Sequence, residues 1–385
     1  TTHLDKLSAG YLYYDAGADD ARLTLRVLQE SVRHGGLLRN YTRANDLLKK
    51  DGRVQGLALE DMESGAKAEV RARVVVNATG AWADRLGNAA LADMKIRPQR
   101  GSHLILPAES FPVSHAIFIL HPEDGRRVFI YPWEGRTVVG TTDIFHDRNL
   151  DNAASMTREE LTYLLMAATQ LFPGRPPGES DVISSWSGVR PIIMSGKSQD
   201  PSRASREHQV WAEPGMVSCS GGKLTTFHYM ALDVIEKAKQ FLPAMPAPPG
   251  SRIFEDSQYS GEQVLPADPA RGERLLGRYG DDALQLLASA PDREHGKIPG
   301  TNTCLAQLRW ALRNESVVHL DDLMLRRTRL GLLLANGGEE LLPEIGRITR
   351  EVCGWTDEEW RHEKERYHQV FETYYTLPRQ DEIKR

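Results

Sequence analysis

The chain has 385 residues, is 40% hydrophobic and 26% charged, and carries a net charge of −5. That length exceeds one small core and points to at least two domains, while the mild acidity excludes a polyelectrolyte that wraps nucleic acid. Cys219, Cys304 and Cys353 are far apart with no CxxC, which argues against a zinc site or disulfide framework and suits a reducing cytoplasm, and no apolar run reaches membrane-spanning length.

Asp19 and Asp20 are placed to cap a helix with a buried stripe of Ala21, Leu25, Leu28 and Val32, stopped at Gly35-Gly36. Residues 37–44 read as a strand. Turn signals at Asp51-Gly52 and Ser64-Gly65 cut the next stretch into a meander of strands at 54–61 and 68–72. Val74-Val75-Val76 is wholly apolar and reads as a buried strand running into the turn Asn77-Ala78-Thr79-Gly80-Ala81-Trp82. Helix, strand, meander, buried strand and glycine turn make the second half of a dinucleotide-binding domain. No G-x-G-x-x-G opens a strand–helix unit anywhere in the chain.

From about 96 to 188 the pattern is β-rich. Strands at 116–120 and 128–131 flank the hairpin signal Glu123-Asp124-Gly125, and 137–140 follows as another. Thr157 to Glu160 is a capping box before a helix bearing Leu161, Leu164, Leu165 and Ala168, which Pro173 ends. A strand at 181–186 delivers Ser187-Gly188-Val189-Arg190-Pro191, read as a rigid turn. Ser220-Gly221-Gly222-Lys223-Leu224-Thr225-Thr226-Phe227 then opens a helix with Met230, Val234, Ile235 and Ala238 on one face. Residues 241–250 hold four prolines and form the clearest linker. Beyond it the pattern is helical, through Leu305, Leu308, Leu312 and the run 323–334, with 358–366 a solvated charged face.

The glycines at 221 and 222 free the backbone for a tight turn, and exposed N–H groups at a helix start attract negative charge; Lys223 adds a cation. Such a junction suits a phosphate or the electron-rich pyrimidine edge of a reduced flavin, although glycine-rich helix starts also serve packing. Arg190 can clamp a phosphate or carboxylate with two hydrogen bonds or form a structural ion pair. Arg203 and Arg206 lie in a polar loop that is either a solvent-exposed basic segment or, with Lys223, part of a cation cluster for a small anionic substrate. His103 is a candidate proton acceptor near pH 7 or a structural histidine. Thr141-Thr142-Asp143 holds a hydroxyl or caps a turn. Ser187 has no G-x-S-x-G frame, and no metal-ligand spacing occurs.

Together, Tyr14-Asp15 with Asp19 to Leu23, Val76 to Trp82, Arg100-Gly101-Ser102-His103, Gly140-Thr141-Thr142-Asp143, Ser187 to Pro191, Ser205-Arg206-Glu207-His208 and Gly221 to Thr226 resemble the FAD-dependent, respiratory glycerol-3-phosphate dehydrogenases. The segment from Leu312 through Asp321-Asp322, Arg326-Arg327-Thr328 and Gly331 is similar to their C-terminal cap. The resemblance implies a mixed α/β (α+β) fold: a partial FAD-binding, Rossmann-like domain (1–95 and 188–242) interwoven with a β-rich substrate domain (96–187), then an all-α C-terminal domain (251–385). It implies that His103, Arg190 and Lys223 are catalytic, that Arg190, Arg206 and Lys223 bind the substrate phosphate, and that Ala44, Ala78, Thr79, Gly80, Gly188, Gly222, Lys223, Leu224 and Thr225 line FAD. It further implies oxidation of glycerol 3-phosphate, a quinone acceptor (or oxygen, as in a glycerophosphate oxidase), a homodimer, and a cytoplasmic enzyme peripheral to the inner face of the cell membrane. Two departures stand out. Phe227-His228 replaces the family's usual tyrosine and arginine, and the family's opening strand, phosphate loop and helix have no counterpart here. The chain is therefore expected to be a fragment that holds FAD weakly, or a flavin-free scaffold.

Overall fold

The computed structural model describes residues 11–86, 95–194, 207–244 and 252–379. Its first element is α1 (Asp20–Arg33), whose N-cap Asp19 accepts a hydrogen bond from the Arg22 amide. A three-stranded antiparallel meander follows: β1 (Thr42–Lys50), β2 (Arg53–Asp61) and β3 (Lys67–Arg71). The expected strand at 37–44 thus starts later, at Thr42, and continues to the Asp51-Gly52 turn, where both residues take positive φ. Next comes β4 (Val75–Asn77), then a 3-10 turn over Gly80–Leu86.

The central piece is a six-stranded antiparallel sheet. It comprises β5 (Lys95–Pro107), β6 (Ile117–Leu120), β7 (Arg127–Trp133), β8 (Arg136–Gly140), the short β9 (Ile144–Phe145) and β10 (Ser184–Met194), in the order β10-β5-β8-β7-β6 with β9 on β5. Between β9 and β10, α2 (Arg158–Leu171) carries both halves of the capping box and packs Leu161, Leu164, Ala167 and Ala168 on one face of that sheet, against Leu104, Leu106, Val128, Ile130 and Val139. Alternation along each strand leaves the opposite face, with Gly101, His103 and Gly140, for other work.

A third sheet joins β11 (His208–Glu213) and β12 (Met216–Gly221) as a hairpin, with β4 parallel to β12. Among the described residues β4 has β12 as its one strand neighbour. Val75 is buried, but Val76 is 48% exposed, so the expected fully buried strand is covered on one side. α3 (Phe227–Ala238) runs back along this sheet with Met230 and Val234 half-buried and Ala238 buried, while Ile235 of the expected stripe is exposed.

The rest is helical: α4 (Gly261–Val264), α5 (Pro269–Tyr279), α6 (Asp282–Ala288), α7 (Leu305–Asn314), a π turn at Asp322–Arg327, α8 (Leu330–Leu333), α9 (Leu342–Cys353) and α10 (Asp357–Tyr374). Leu308, Leu323, Met324, Leu330, Ile345, Ile348, Tyr367 and Phe371 form its core, into which β5 inserts Ile105 and against which Trp133 and Trp186 pack. α10 keeps the expected charged face and buries Trp360, Tyr367 and Phe371.

The stripe expected on α1 is not what the fold buries. Leu28 and Val32 are 40% and 50% exposed, and the buried residue is Arg22. Its Nη1 donates to both Glu315 oxygens at 2.9 and 2.8 Å, and its guanidinium lies 4.4 Å from the Tyr279 ring centroid. Arg278 and Arg329 bind Asp19, and Arg33 binds Asp282, so α1 docks on the helical domain through ion pairs rather than an apolar face. Both Arg22 and Glu315 are almost fully buried. Glu315→Ala, which strands the guanidinium, is expected to cost about 3–5 kcal/mol. Arg22→Met with Glu315→Leu should recover most of that loss, as read by urea unfolding; equal losses in both variants would show that packing, not charge pairing, holds the helix.

Candidate functional site

The pairing of β5 with β10 places the site. Trp186 stands opposite His103, Gly188 opposite Gly101, and Arg190 opposite Gln99. His103 also pairs with Gly140 on β8, which pairs with Phe129 on β7. Trp186, His103, Gly140 and Phe129 therefore form one row across four adjacent strands, on the face away from α2.

Two glycines make that face usable. A Cβ at Gly101 would run into the Thr141 hydroxyl and come within 2.8 and 2.9 Å of the Arg190 guanidinium nitrogens. The guanidinium thus lies across bare backbone. A Cβ at Gly140 would strike the His103 ring, with Cγ at 2.7 Å and Nε2 at 2.8 Å. The imidazole is sandwiched between that backbone and Trp186, stacked at 4.6 Å and 8°. Its Nδ1 is buried without a hydrogen-bond partner among the described residues. Burial, and secondarily the Arg190 charge, lower its pKa to about 3, so the ring is neutral at physiological pH. Arg190 Nη1 lies 3.7 Å from Asp143, and the same carboxylate takes Arg126 Nη2 at 3.0 Å.

Beneath this layer Glu160 gathers the loop. Its carboxylate accepts from the hydroxyls of Ser102 (2.8 Å) and Thr142 (2.6 Å) and from the Thr157 amide, and pairs with Arg100 at 2.9 Å. All of these except half-buried Thr157 are buried. The capping box flagged Glu160 as a helix signal. Its larger task, tying α2 to the 141–143 turn and to β5, had no sequence signature.

The second half of the site lies at the ends of β4 and β12. Asn77 fixes the turn after β4 by donating to the Ala83 carbonyl and accepting from the Thr79 amide and hydroxyl. The Ser220 hydroxyl donates to the Gly80 carbonyl and ties β12 to that turn. Gly221 and Gly222 both have φ of 80°, with Gly221 against Ile193 of β10 and Gly222 against Met230. Lys223, Leu224 and Thr225 are exposed, as are Ala78 and Thr79, and nothing lies within 4 Å of where a Cβ on Gly80 or Gly188 would stand. This open ledge of free backbone beside a helix start fits a flat, phosphate-linked cofactor such as FAD. Among the described residues no cluster suits a metal ion, and no helix is long and apolar enough to cross a membrane.

The expected site residues fall into groups. His103, Arg190 and Gly188 share one sheet face, and Arg190 is an interior residue of the continuous strand β10, not part of a turn, because residues 187–191 pair unbroken with 98–102. Ala78, Thr79, Gly80, Gly222, Lys223, Leu224 and Thr225 form the neighbouring ledge. Ala44 lies apart in the meander, opposite Leu59 near a register shift and not at a strand end. Arg206 and Arg203 lie outside the described residues. Trp186, Phe129, Gly101 and Gly140 were missed as site residues. The Gly-x-His spacing on an alternating strand was the available signal for Gly101.

Comparison with known proteins identifies the family. The family described as FAD dependent oxidoreductase matches residues 2–232, and the family described as the C-terminal domain of alpha-glycerophosphate oxidase matches residues 247–360. The chain belongs to the FAD dependent oxidoreductases. It is 33% identical over 372 residues to glycerol-3-phosphate dehydrogenase 2 of Mycobacterium tuberculosis, covering 91% of this chain and 62% of that protein. It is 34% identical over 374 residues to glycerol-3-phosphate dehydrogenase of Mycobacterium leprae, covering 92% and 62%. The chain thus spans 62% of the length of these curated relatives. The X-ray structure of the glycerol-3-phosphate dehydrogenase from Bacillus halodurans complexed with FAD superimposes with a TM-score of 0.73 at 27% identity, covering 91% of this chain and 73% of that one.

The depressed imidazole gives a signed pH effect. Between about pH 3 and its ordinary 6.5, His103 takes a proton in the unfolded chain and not in the folded one. Stability attributable to it therefore falls as pH drops through that window and is flat above it. The wild type's melting-temperature lead over His103→Gln should shrink between pH 7 and pH 5 (~2 pH units below neutrality); a constant lead would refute the buried neutral ring. Separately, Gly101→Ala should leave the fold intact and weaken binding of a small anion roughly tenfold by displacing Arg190, with inorganic phosphate titrated by calorimetry as the check.

Proposed function

We propose that this member of the FAD dependent oxidoreductases oxidises sn-glycerol 3-phosphate to dihydroxyacetone phosphate. The observation that carries the reading is the Arg190–His103 pair on its glycine floor: a guanidinium placed to clamp an anion beside a neutral ring whose Nδ1 has no partner among the described residues. Relatives bearing the name glycerol-3-phosphate dehydrogenase along most of this chain support it. In this reading Arg190, Lys223 and Arg206 bind the phosphate and polarise the C2 hydroxyl, and His103 accepts the hydroxyl proton. Ala78, Thr79, Gly80 and Gly188 would receive FAD, with Gly222 to Thr225 facing its pyrimidine edge and Ala44 toward the adenine side. Bound there, FAD supplies the acceptor for the hydride that leaves C2. The chain's own residues orient the substrate, hold its charge and take its proton.

A base held at about pKa 3 is weak, and the substrate corrects this. A phosphate dianion on Arg190 neutralises one of the two influences that depress the imidazole, so substrate binding raises the basicity of His103. Burial of the His103 ring beneath Trp186 keeps that coupling strong.

Electrons would pass onward to a quinone, with the protein meeting the inner face of the cell membrane from the cytoplasm as a peripheral homodimer. One observation favours a second acceptor: the helical domain matches a domain of alpha-glycerophosphate oxidase, which supports oxygen as the alternative.

The test is an anaerobic visible spectrum of the chain reconstituted with FAD. Glycerol 3-phosphate should bleach the bound flavin band and glycerol should not. A bound flavin that glycerol 3-phosphate leaves oxidised, while an amine or hydroxy acid reduces it, would overturn the substrate. His103→Asn should slow flavin reduction by about 10²–10⁴-fold while changing substrate affinity far less. Peroxide formed on admitting air would assign oxygen, and its absence with turnover on a soluble quinone would assign the quinone.

A further inference from the structure

A second cluster of cations lies away from the redox site. Arg53 opens β2, Arg71 ends β3 and Arg73 follows it; with Gln55, Ala72 and Phe241 they line an open cleft of about 420 Å³. Most arginines among the described residues sit in ion pairs, including Arg22, Arg100, Arg278 and Arg309. Arg53, Arg71 and Arg73 form no ion pair among them. Asp51, the acid nearest to Arg53 in sequence, occupies a positive-φ turn position and pairs with none of the three. In an acidic chain, three unneutralised guanidiniums sharing one cleft raise the local potential for anions.

The cleft is also pre-shaped. The Arg53 guanidinium lies 5.4 Å from the Phe241 ring centroid and donates from Nη2 to the Arg73 carbonyl at 3.1 Å. One contact reaches the helix end that follows α3 and the other reaches the strand end that carries Arg73, so Arg53 bridges the two walls. Its stem packs by Gly215, where a Cβ would come within 3.1 Å of Arg53 Cγ. Less conformational freedom is then left to lose when an anion arrives.

Its position separates it from the ledge that would face FAD. Gly215 precedes β12, Gly221 ends it, and Gly222 and Lys223 follow. At about 3.3 Å per residue, Gly215 and Gly221 lie roughly 20 Å apart along that strand, at opposite ends of the sheet.

We infer that this cleft binds a phosphate group through Arg53, Arg71 and Arg73. Planar forks favour the tetrahedral oxygens of a phosphate over a monovalent halide. The phosphate belongs either to a free phosphorylated solute or to the headgroup of an anionic lipid, and the chemistry of recognition is shared. The inference does not rest on the redox reading.

The experiment compares the wild-type chain with Arg71→Ser/Arg73→Ser and with Arg252→Ser/Arg361→Ser. The last pair removes the same formal charge from exposed positions elsewhere. Each protein is titrated calorimetrically with inorganic phosphate against chloride at matched ionic strength. Each is also sedimented with vesicles of phosphatidylcholine alone or mixed with phosphatidylglycerol. The cleft variant should lose roughly tenfold affinity for each guanidinium removed, and the control should match the wild type. Saturable phosphate binding that the cleft variant loses assigns a free solute. Retention on phosphatidylglycerol vesicles that the cleft variant loses, without phosphate binding, assigns a headgroup. Equal losses in both variants, unchanged binding in the cleft variant, or no binding of either probe by the wild type would overturn the inference. Arg71 and Arg73 are exposed, and an unchanged melting temperature of the variant confirms that folding is not what the titration reads.

Discussion

The register between β5 and β10 is the constraint on which the site depends. It holds unbroken from Ser184 opposite Ile105 to Met194 opposite Lys95. Strand side chains alternate, so a one-residue slip of β5 would send His103 to the α2 face and bring Leu104 out of its core, and a slip of β10 would do the same to Trp186 and Arg190. The pairing survives because each face demands its own residues. Leu104 and Leu106 must meet Leu161 and Leu164, and Ile105 must enter the helical core. The chemistry is thus positioned by apolar burial, which is strong and indifferent to charge, rather than by the polar groups themselves.

Polar groups then set the finer geometry within that frame. Glu160 could not be buried as an unpaired carboxylate, and its partners are the residues whose placement matters: Arg100 and Ser102 flank Gly101, and Thr142 lies between Thr141 and Asp143. One satisfied hub therefore fixes both the strand under Arg190 and the turn beside it. The helical domain acts from the other side. Trp186 packs against its core and stacks on His103, so docking of that domain bears on the imidazole through a single ring. α1 belongs to the same mechanical unit because its buried Arg22 is neutralised by Glu315 at the end of α7. Removing the helical domain would strand that arginine and loosen Trp186 together.

Local features of the sequence were readable where local physics decides. The meander followed from its two glycine turns, α2 from the Thr157–Glu160 box, and the glycine ledge from Gly221-Gly222 before a helix. Reading failed where the partner is distant in sequence. Leu28 and Val32 had helical spacing and yet face outward, because α1 is held by carboxylates and arginines some 250 to 310 residues away. Arg190 beside Pro191 looked like a turn because the strand pairing that keeps it extended comes from residues 97–101. Gly101 carried only its Gly-x-His spacing, and Gly140 carried no signal of its own. Their role appears only once Arg190 and His103 are laid across them, since the missing Cβ makes room for a side chain from another strand.

That missing Cβ also has an electrostatic consequence. Bare backbone lets the Arg190 guanidinium and the His103 ring sit low against the same sheet, close enough for the cation to depress the imidazole. This keeps the ring neutral, and its Nδ1 has no hydrogen-bond partner among the described residues, a cost that the packing around it sustains. In the proposed reading, an anion on Arg190 would change two quantities at once: it would fill the clamp and lift a charge from the base. A neutral ligand of the same shape would leave the Arg190 charge acting on the imidazole, and the base weak. In the proposed reading, selection for a charged substrate would lie in the basicity of His103 as well as in affinity, and the two effects would share one origin in the close approach that Gly101 permits.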